Sequence, residues 1–138
     1  TALELAYQNY DTEDQHILEI KKYFLDQIHT VFPEAILNGL SGDLTRSTNT
    51  LVNISLPIDQ DKAKILDFHL DLNGIACSKG SACQSGSSQG SHVINELQRE
   101  DQYSDWPTLR FSFSCFNSKS EIDHLITVLR QFATQENP

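Results

Sequence analysis

Two short stretches, LVNISL (51–56) and LRFSF (109–113), alternate apolar and polar residues with a period of two. Val52, Ile54 and Leu56 fall on one face of the first, and Leu109, Phe111 and Phe113 on one face of the second. Each predicts a strand with a single apolar face, stopped after Leu56 by Pro57. The flanking segments carry a different period. Ile17, Ile20, Phe24, Ile28 and Val31 form one helical stripe, and Ile122, Leu125, Leu129 and Phe132 another. One-faced strands and one-striped helices bury their apolar surfaces only against each other. The expectation is therefore a two-layer α/β (α+β-like) fold, a mixed or antiparallel sheet covered by helices.

Punctuation refines this plan. The opening TALELAYQNY reads as the end of a helix, and Asp11 or Thr12 with Gln15 reads as the cap of a second, closed by Pro33. Ala35–Leu37 reads as a short strand before the turn-rich NGLSGD, and Asp59–Leu72 as a helix ending at Asn73-Gly74. Ile75–Cys77 is a further strand candidate, and Ser91 caps an expected helix over His92–Gln98. Ser118 and Glu121 have capping-box spacing before the last helix. No linker or internal repeat interrupts the 138 residues, which fit one domain.

Between Ser78 and His92 the chain reads SKGSACQSGSSQGSH. A Ser/Gly-rich run is a flexible tether, whereas free cysteine is usually buried. Cys83 therefore has two readings, a reactive thiol on an arm of about 20–25 Å reach or a tolerated cysteine. Lys79 and the start of the following helix would favour its thiolate. Arg110 lies on the polar face of LRFSF, where it either binds a carboxylate through paired hydrogen bonds or keeps its head in water or on an internal acid. Cys77, Cys83, His92 and Cys115 have C-x5-C-x8-H spacing, unlike the close pairs of structural zinc sites, and no metal is expected. His16, His29, His69 and His124 have no partner at helical spacing and read as surface or boundary residues.

Charge and composition bound the partners. Nineteen acidic and ten basic side chains give a net charge of −9, which argues against nonspecific nucleic-acid binding. No apolar run approaches a membrane span. Three cysteines make a poor disulfide framework, so a reducing, cytoplasmic setting is expected. The chain starts at Thr1 and contains no methionine, as an excised domain or processed protein would.

GIACSKGSACQSGSSQGSHVINEL, followed by LRFSFSCFNSKSEIDHLITVL, resembles the C-terminal part of cysteine desulfurases of the NifS and IscS type, in the class V aminotransferase group. The usual family pattern is close to SSGSACTSG…SHVL, then RFSLGRFTTEEEID. The resemblance covers nearly the whole chain, with TALELAYQNY like the end of a connecting helix (1–10) and RSTNTLVNISL like an Asn-containing strand entry. It implies the small domain of a fold-type I pyridoxal-phosphate-dependent transferase, over residues 1–138, with a mobile catalytic-cysteine loop at 78–91.

In that family the loop cysteine takes sulfur from L-cysteine as a persulfide, L-alanine is released, and the sulfur passes to an iron–sulfur scaffold or other acceptor protein. The resemblance places the persulfide on Cys83, with Gly80, Ser81 and Ala82 completing the catalytic loop, and the substrate carboxylate on Arg110. It further implies a homodimer for the longer enzyme. Three departures stand out: Lys79 replaces a common serine, Ser114-Cys115 replaces Gly-Arg, and the lysine that bonds pyridoxal phosphate has no counterpart. Lys21-Lys22, Lys62, Lys64, Lys79 and Lys119 stand in other contexts. The expectation is a fragment inactive alone, its cofactor bound by a missing large domain. The rival expectations are a stand-alone persulfide carrier, with a native product of this length, and a non-catalytic interaction module indifferent to Cys83→Ser.

Overall fold

The computed structural model describes residues 1–79 and 106–135. The chain opens with a 30-residue helix, α1 (Ala2–Val31), rather than two helices meeting near Asp11. Its cap is Thr1, whose side chain accepts from the Glu4 N–H in a capping box. Tyr10, Asp11 and Thr12 include neither Gly nor Pro, and extending a helix is far easier than starting another. Thr12 therefore stays inside the helix. Pro33 follows its end, with Phe32 as C-cap.

Four strands form one sheet in the order β1-β2-β4-β3, every pair antiparallel: β1 (Ile36–Leu37), β2 (Leu51–Ser55), β3 (Ser78–Lys79) and β4 (Thr108–Ser112). The central pairing sets Val52 against Phe111 and Ile54 against Leu109, so both apolar strand faces point to one side. There α1 and the last helix, α4 (Lys119–Thr134), lie in contact with each other. Phe24 of α1 is fully buried and its ring meets Phe111 and Phe113 at centroid distances of 5.3 and 5.4 Å. Ile122, Leu125, Leu129 and Phe132 of α4 are all buried, as their spacing predicts, and Ser118 and Glu121 form the expected capping box.

The predicted helix over Asp59–Leu72 is split into α2 (Gln60–Ala63) and α3 (Leu66–Leu72), with Asp59 as the first N-cap. A tighter turn, in which the Ile65 N–H bonds the Lys62 carbonyl, separates them. The break lets two demands be met at once. Lys62 donates to the carbonyls of Ala133 and Gln135 at the end of α4, while Leu66 and Leu70 enter the core. Gly74 closes α3 in the left-handed region (φ 73°), as Asn73-Gly74 predicts. The strand expected at Ile75–Cys77 instead begins at Ser78, because the Ile75 N–H is bonded to the Leu70 carbonyl at the helix end.

Histidines expected at the surface or boundary act as ties between elements. His16 Nε2 bonds the Asn117 carbonyl oxygen at 2.8 Å, joining α1 to the turn before α4. His124 Nε2 does the same with the Asn73 oxygen at 2.9 Å. His69 stacks on Phe132 with centroids 4.8 Å apart.

Candidate carboxylate-binding site

The sheet has a second face, on which polar side chains alternate with the buried apolar ones. Asn53 and Ser55 of β2, Thr108 and Arg110 of β4, and Ser78 of β3 occupy it in register. Asn53 is opposite Arg110, Arg110 opposite Ser78, and Ser55 opposite Thr108. The turn after β1 folds over one end of this face and buries Asn38 and Ser41. Asn38 Nδ2 donates to Asn53 Oδ1 at 2.8 Å and to Ser55 Oγ at 3.0 Å. Ser55 Oγ is also 2.9 Å from Thr108 Oγ1, and Ser41 Oγ accepts the Asn53 backbone N–H at 3.0 Å. A buried amide and a buried hydroxyl are thus satisfied inside the protein, as burial of polar groups demands.

Arg110 is half-buried, and its one hydrogen bond among the described residues runs from a terminal guanidinium nitrogen to Ser78 Oγ at 3.3 Å. No ion pair among the described residues includes it. The sequence reading left open an internal Asp or Glu as its partner, and none is present among the described residues. A guanidinium offers five donors in a rigid fork, and among the described residues one hydrogen bond engages it.

The sequence placed three further features here. Lys79 is the last residue of β3, and its ammonium is engaged by neighbouring elements. It donates to the Ala63 carbonyl at 2.8 Å and pairs with Asp67 at 3.3 Å. Cys77, just before β3, is half-buried, and burial pushes its thiol above the usual cysteine value, with the Asp67 charge adding to the rise and Lys79 opposing it. It is therefore a poor nucleophile at neutral pH. Cys115 is also a free, half-buried cysteine, consistent with a small boundary residue. Cys83, Gly80, Ser81 and Ala82, together with the helix expected over His92–Gln98, lie outside the described residues.

A cleft of about 540 Å³ opens elsewhere, lined by Ala76, Phe111, Phe113, Asn117, Glu121 and Leu125. Phe111 is on the core-facing side of β4 and Phe113 follows the end of that strand. Among the described residues no cluster of three His, Cys, Asp or Glu side chains has the arrangement of a metal site. No described helix is long and apolar enough to cross a membrane.

The described lysines stand in separate places on the fold. Lys21 is buried against Ser47 and Thr48, Lys62 bonds the end of α4, and the exposed Lys64 and Lys79 pair with Asp61 and Asp67. Lys119 lies 5.4 Å over the Tyr23 ring, and Lys22 is exposed on α1.

An antiparallel sheet with helices on its apolar face, and a half-buried arginine on the other, defines an α/β small domain. Its fold is that of part of the NifS-like proteins. One NifS-like protein superposes with a TM-score of 0.68 at 17% identity, over 94% of this chain and 30% of its own. Another, from Rickettsia africae, gives 0.66 at 17% identity over 93% and 31%.

In sequence, the chain is similar over nearly its whole length to cysteine desulfurases of the IscS type. The Clostridium botulinum (strain Hall) cysteine desulfurase IscS is 32% identical over 134 residues, which is 97% of this chain and 33% of that protein. The Dictyoglomus turgidum IscS is 28% identical over 130 residues, 94% of this chain and 32% of that protein. The chain thus spans about a third of the length of these curated relatives. No family model matches it.

Proposed function

We propose that this chain is the C-terminal small domain of a longer cysteine desulfurase, in which Arg110 anchors the carboxylate of L-cysteine and Cys83 receives its sulfur. The observation that carries the reading is the half-buried Arg110 guanidinium with no acid partner among the described residues, on the strand next to the one that leads into SKGSAC. A buried charge without a counter-ion is costly, and a substrate carboxylate supplies the missing partner. Cys83 is four residues past Lys79, so covalent geometry alone keeps its Cα within about 14 Å of the end of β3.

In the net reaction L-cysteine becomes L-alanine and Cys83 holds the sulfur as a persulfide. Its thiolate forms the new S–S bond as the C–S bond of the substrate breaks and that carbon takes up a proton, and a sulfur-acceptor protein, such as an iron–sulfur scaffold, then takes the outer sulfur. Pyridoxal phosphate, held by a part of the enzyme outside this chain, would supply the bond-breaking chemistry. This chain alone is then inactive, and the longer enzyme is a homodimer that works in the cytoplasm.

The test uses the complete native protein, purified with its cofactor and given L-cysteine. Alanine release and a 32 Da gain on the Cys83 peptide are expected, the gain being the mass of one sulfur atom. Cys83→Ser should abolish the gain, and Arg110→Ala should raise KM for cysteine at least tenfold. A native protein of this chain's own length that gains sulfur on Cys83 only from a second enzyme would replace the reading with that of a persulfide carrier. Full activity in Cys83→Ser would leave only an interaction module.

A further inference from the structure

We propose that Asn53 is a second donor to the carboxylate that Arg110 holds, and that Asn38 sets its orientation. The inference rests on the reading of Arg110 as the carboxylate anchor. Asn53 and Arg110 are directly opposed across β2 and β4, and their side chains rise from the same polar face. Opposed residues of an antiparallel pair have Cβ atoms about 4.5–5.5 Å apart. Yet the two side chains make no hydrogen bond to each other, because Arg110 leans the other way, to Ser78 on β3. The lean leaves a seat between the Asn53 amide and the guanidinium.

The amide is not free to choose how it faces that seat. Asn53 Oδ1 is occupied by the Nδ2 donor of the buried Asn38, which is itself pinned by Ser55. Oδ1 is therefore turned toward Asn38, and the Asn53 NH2 group is turned away from it. That NH2 group has no acceptor among the described residues, although Asn53 is half-buried. A carboxylate has two oxygens and accepts on both, and one can take the amide N–H while the other takes the arginine. Two hydrogen bonds of ordinary length across its two oxygens bridge donors up to about 8 Å apart. A phosphate or a neutral amide would match this seat less well, since it is one charged fork beside one neutral donor. Asn53 thus fixes the rotation of the bound carboxylate, which a lone arginine leaves loose.

The experiment titrates L-alanine into the complete native protein, ¹⁵N-labelled at its arginine and asparagine side chains and followed by NMR, with ethylamine as the probe lacking a carboxylate. The Arg110 Nε–H and Asn53 Nδ2 resonances should move together with one Kd, and the Asn53 NH2 protons should exchange with water more slowly at saturation. Ethylamine should move neither. Asn53→Ala should weaken alanine roughly tenfold, the effect of one hydrogen bond to a charged group. If Arg110→Ala abolishes binding while Asn53→Ala leaves Kd unchanged and the amide resonance does not move, the role of Asn53 is refuted and Arg110 stands. If alanine fails to bind, or binds Arg110→Ala equally well, both assignments fall. Should Asn53→Ala not fold, the wild-type amide resonance decides: movement with slowed exchange supports the proposal, and a stationary, fast-exchanging amide overturns it.

Discussion

Replacing Lys21 by Met tests how a buried ammonium is accommodated without a carboxylate in contact. The Lys21 side chain is fully buried, and its Nζ donates to Ser47 Oγ at 2.7 Å and to the Thr48 carbonyl at 2.8 Å. Met keeps much of the stem but removes both donors. Two charge-assisted hydrogen bonds contribute about 3–6 kcal/mol between them. Against that stands the cost of dehydrating the ammonium, several kcal/mol, which Met does not incur. These terms nearly cancel. What remains is the Thr48 carbonyl left without its donor, at about 1–3 kcal/mol, since Ser47 still donates to the Asp43 carbonyl.

A loss of about 1–3 kcal/mol at pH 7 is therefore expected for Lys21→Met, and the pH dependence is the sharper test. Burial lowers the Lys21 pKa, and the Asp43 charge only partly opposes this. Between that lowered value and the unfolded one near 10.5, the unfolded chain binds more protons, so stability from this group rises with pH. A neutral amine still donates to the Thr48 carbonyl. The gap between wild type and Lys21→Met should therefore widen as pH is raised from 7 toward 10. Urea unfolding followed by circular dichroism gives both stabilities, and groups common to the two proteins drop out of the difference. A variant as stable as wild type at pH 7, with a gap that stays flat or narrows on the alkaline side, would refute the reasoning.

Three further outcomes follow from the packing and the caps. Phe24→Ala should destabilise by about 3–5 kcal/mol by urea melt, as it empties the centre of the core, and a double-mutant cycle with Phe111→Leu should show coupling from their ring contact. Ser118→Ala removes a cap from α4 and should cost about 1 kcal/mol in the same melt, with little change in native ellipticity. Cys77 should alkylate with iodoacetamide more slowly than glutathione at pH 8, as followed by peptide mass spectrometry. Its rate should keep climbing above pH 9, and Asp67→Asn should raise it by easing the thiolate.

The strands β2 and β4 and the α4 stripe were legible because their periodicities are clean and tertiary packing agrees with them. Helix boundaries were less so. The split at Lys64–Ile65 serves a contact between Lys62 and the end of α4, more than seventy positions away, and no local signal carries that. Lys21 was named only in the pair Lys21-Lys22 and not as a core residue, although it sits three residues before Phe24 and four after Ile17, on the core-facing stripe of α1. That spacing was the available signal. The place of Arg110 on a polar strand face was legible from the alternation of LRFSF. Asn53 was visible only as part of a strand entry, because its opposition to Arg110 is set by register and its orientation by Asn38. Neither is local.

The unbroken α1 has a mechanical consequence. Its first buried residue is Ile17, and residues 1–12 are exposed, with Leu3, Tyr7 and Tyr10 on one side. At 1.5 Å per residue those twelve positions make an arm of about 18 Å. With no glycine or proline along it, the arm has no hinge, so it moves with its base as a stiff lever. A tilt of about 5° at the buried end sweeps the tip by roughly 1.6 Å, and a load applied at Leu3 or Tyr7 is felt at Lys21 and Phe24. A Gly-Pro pair in place of Asp11-Thr12 would uncouple the two ends while leaving the core stripe from Ile17 onward in place.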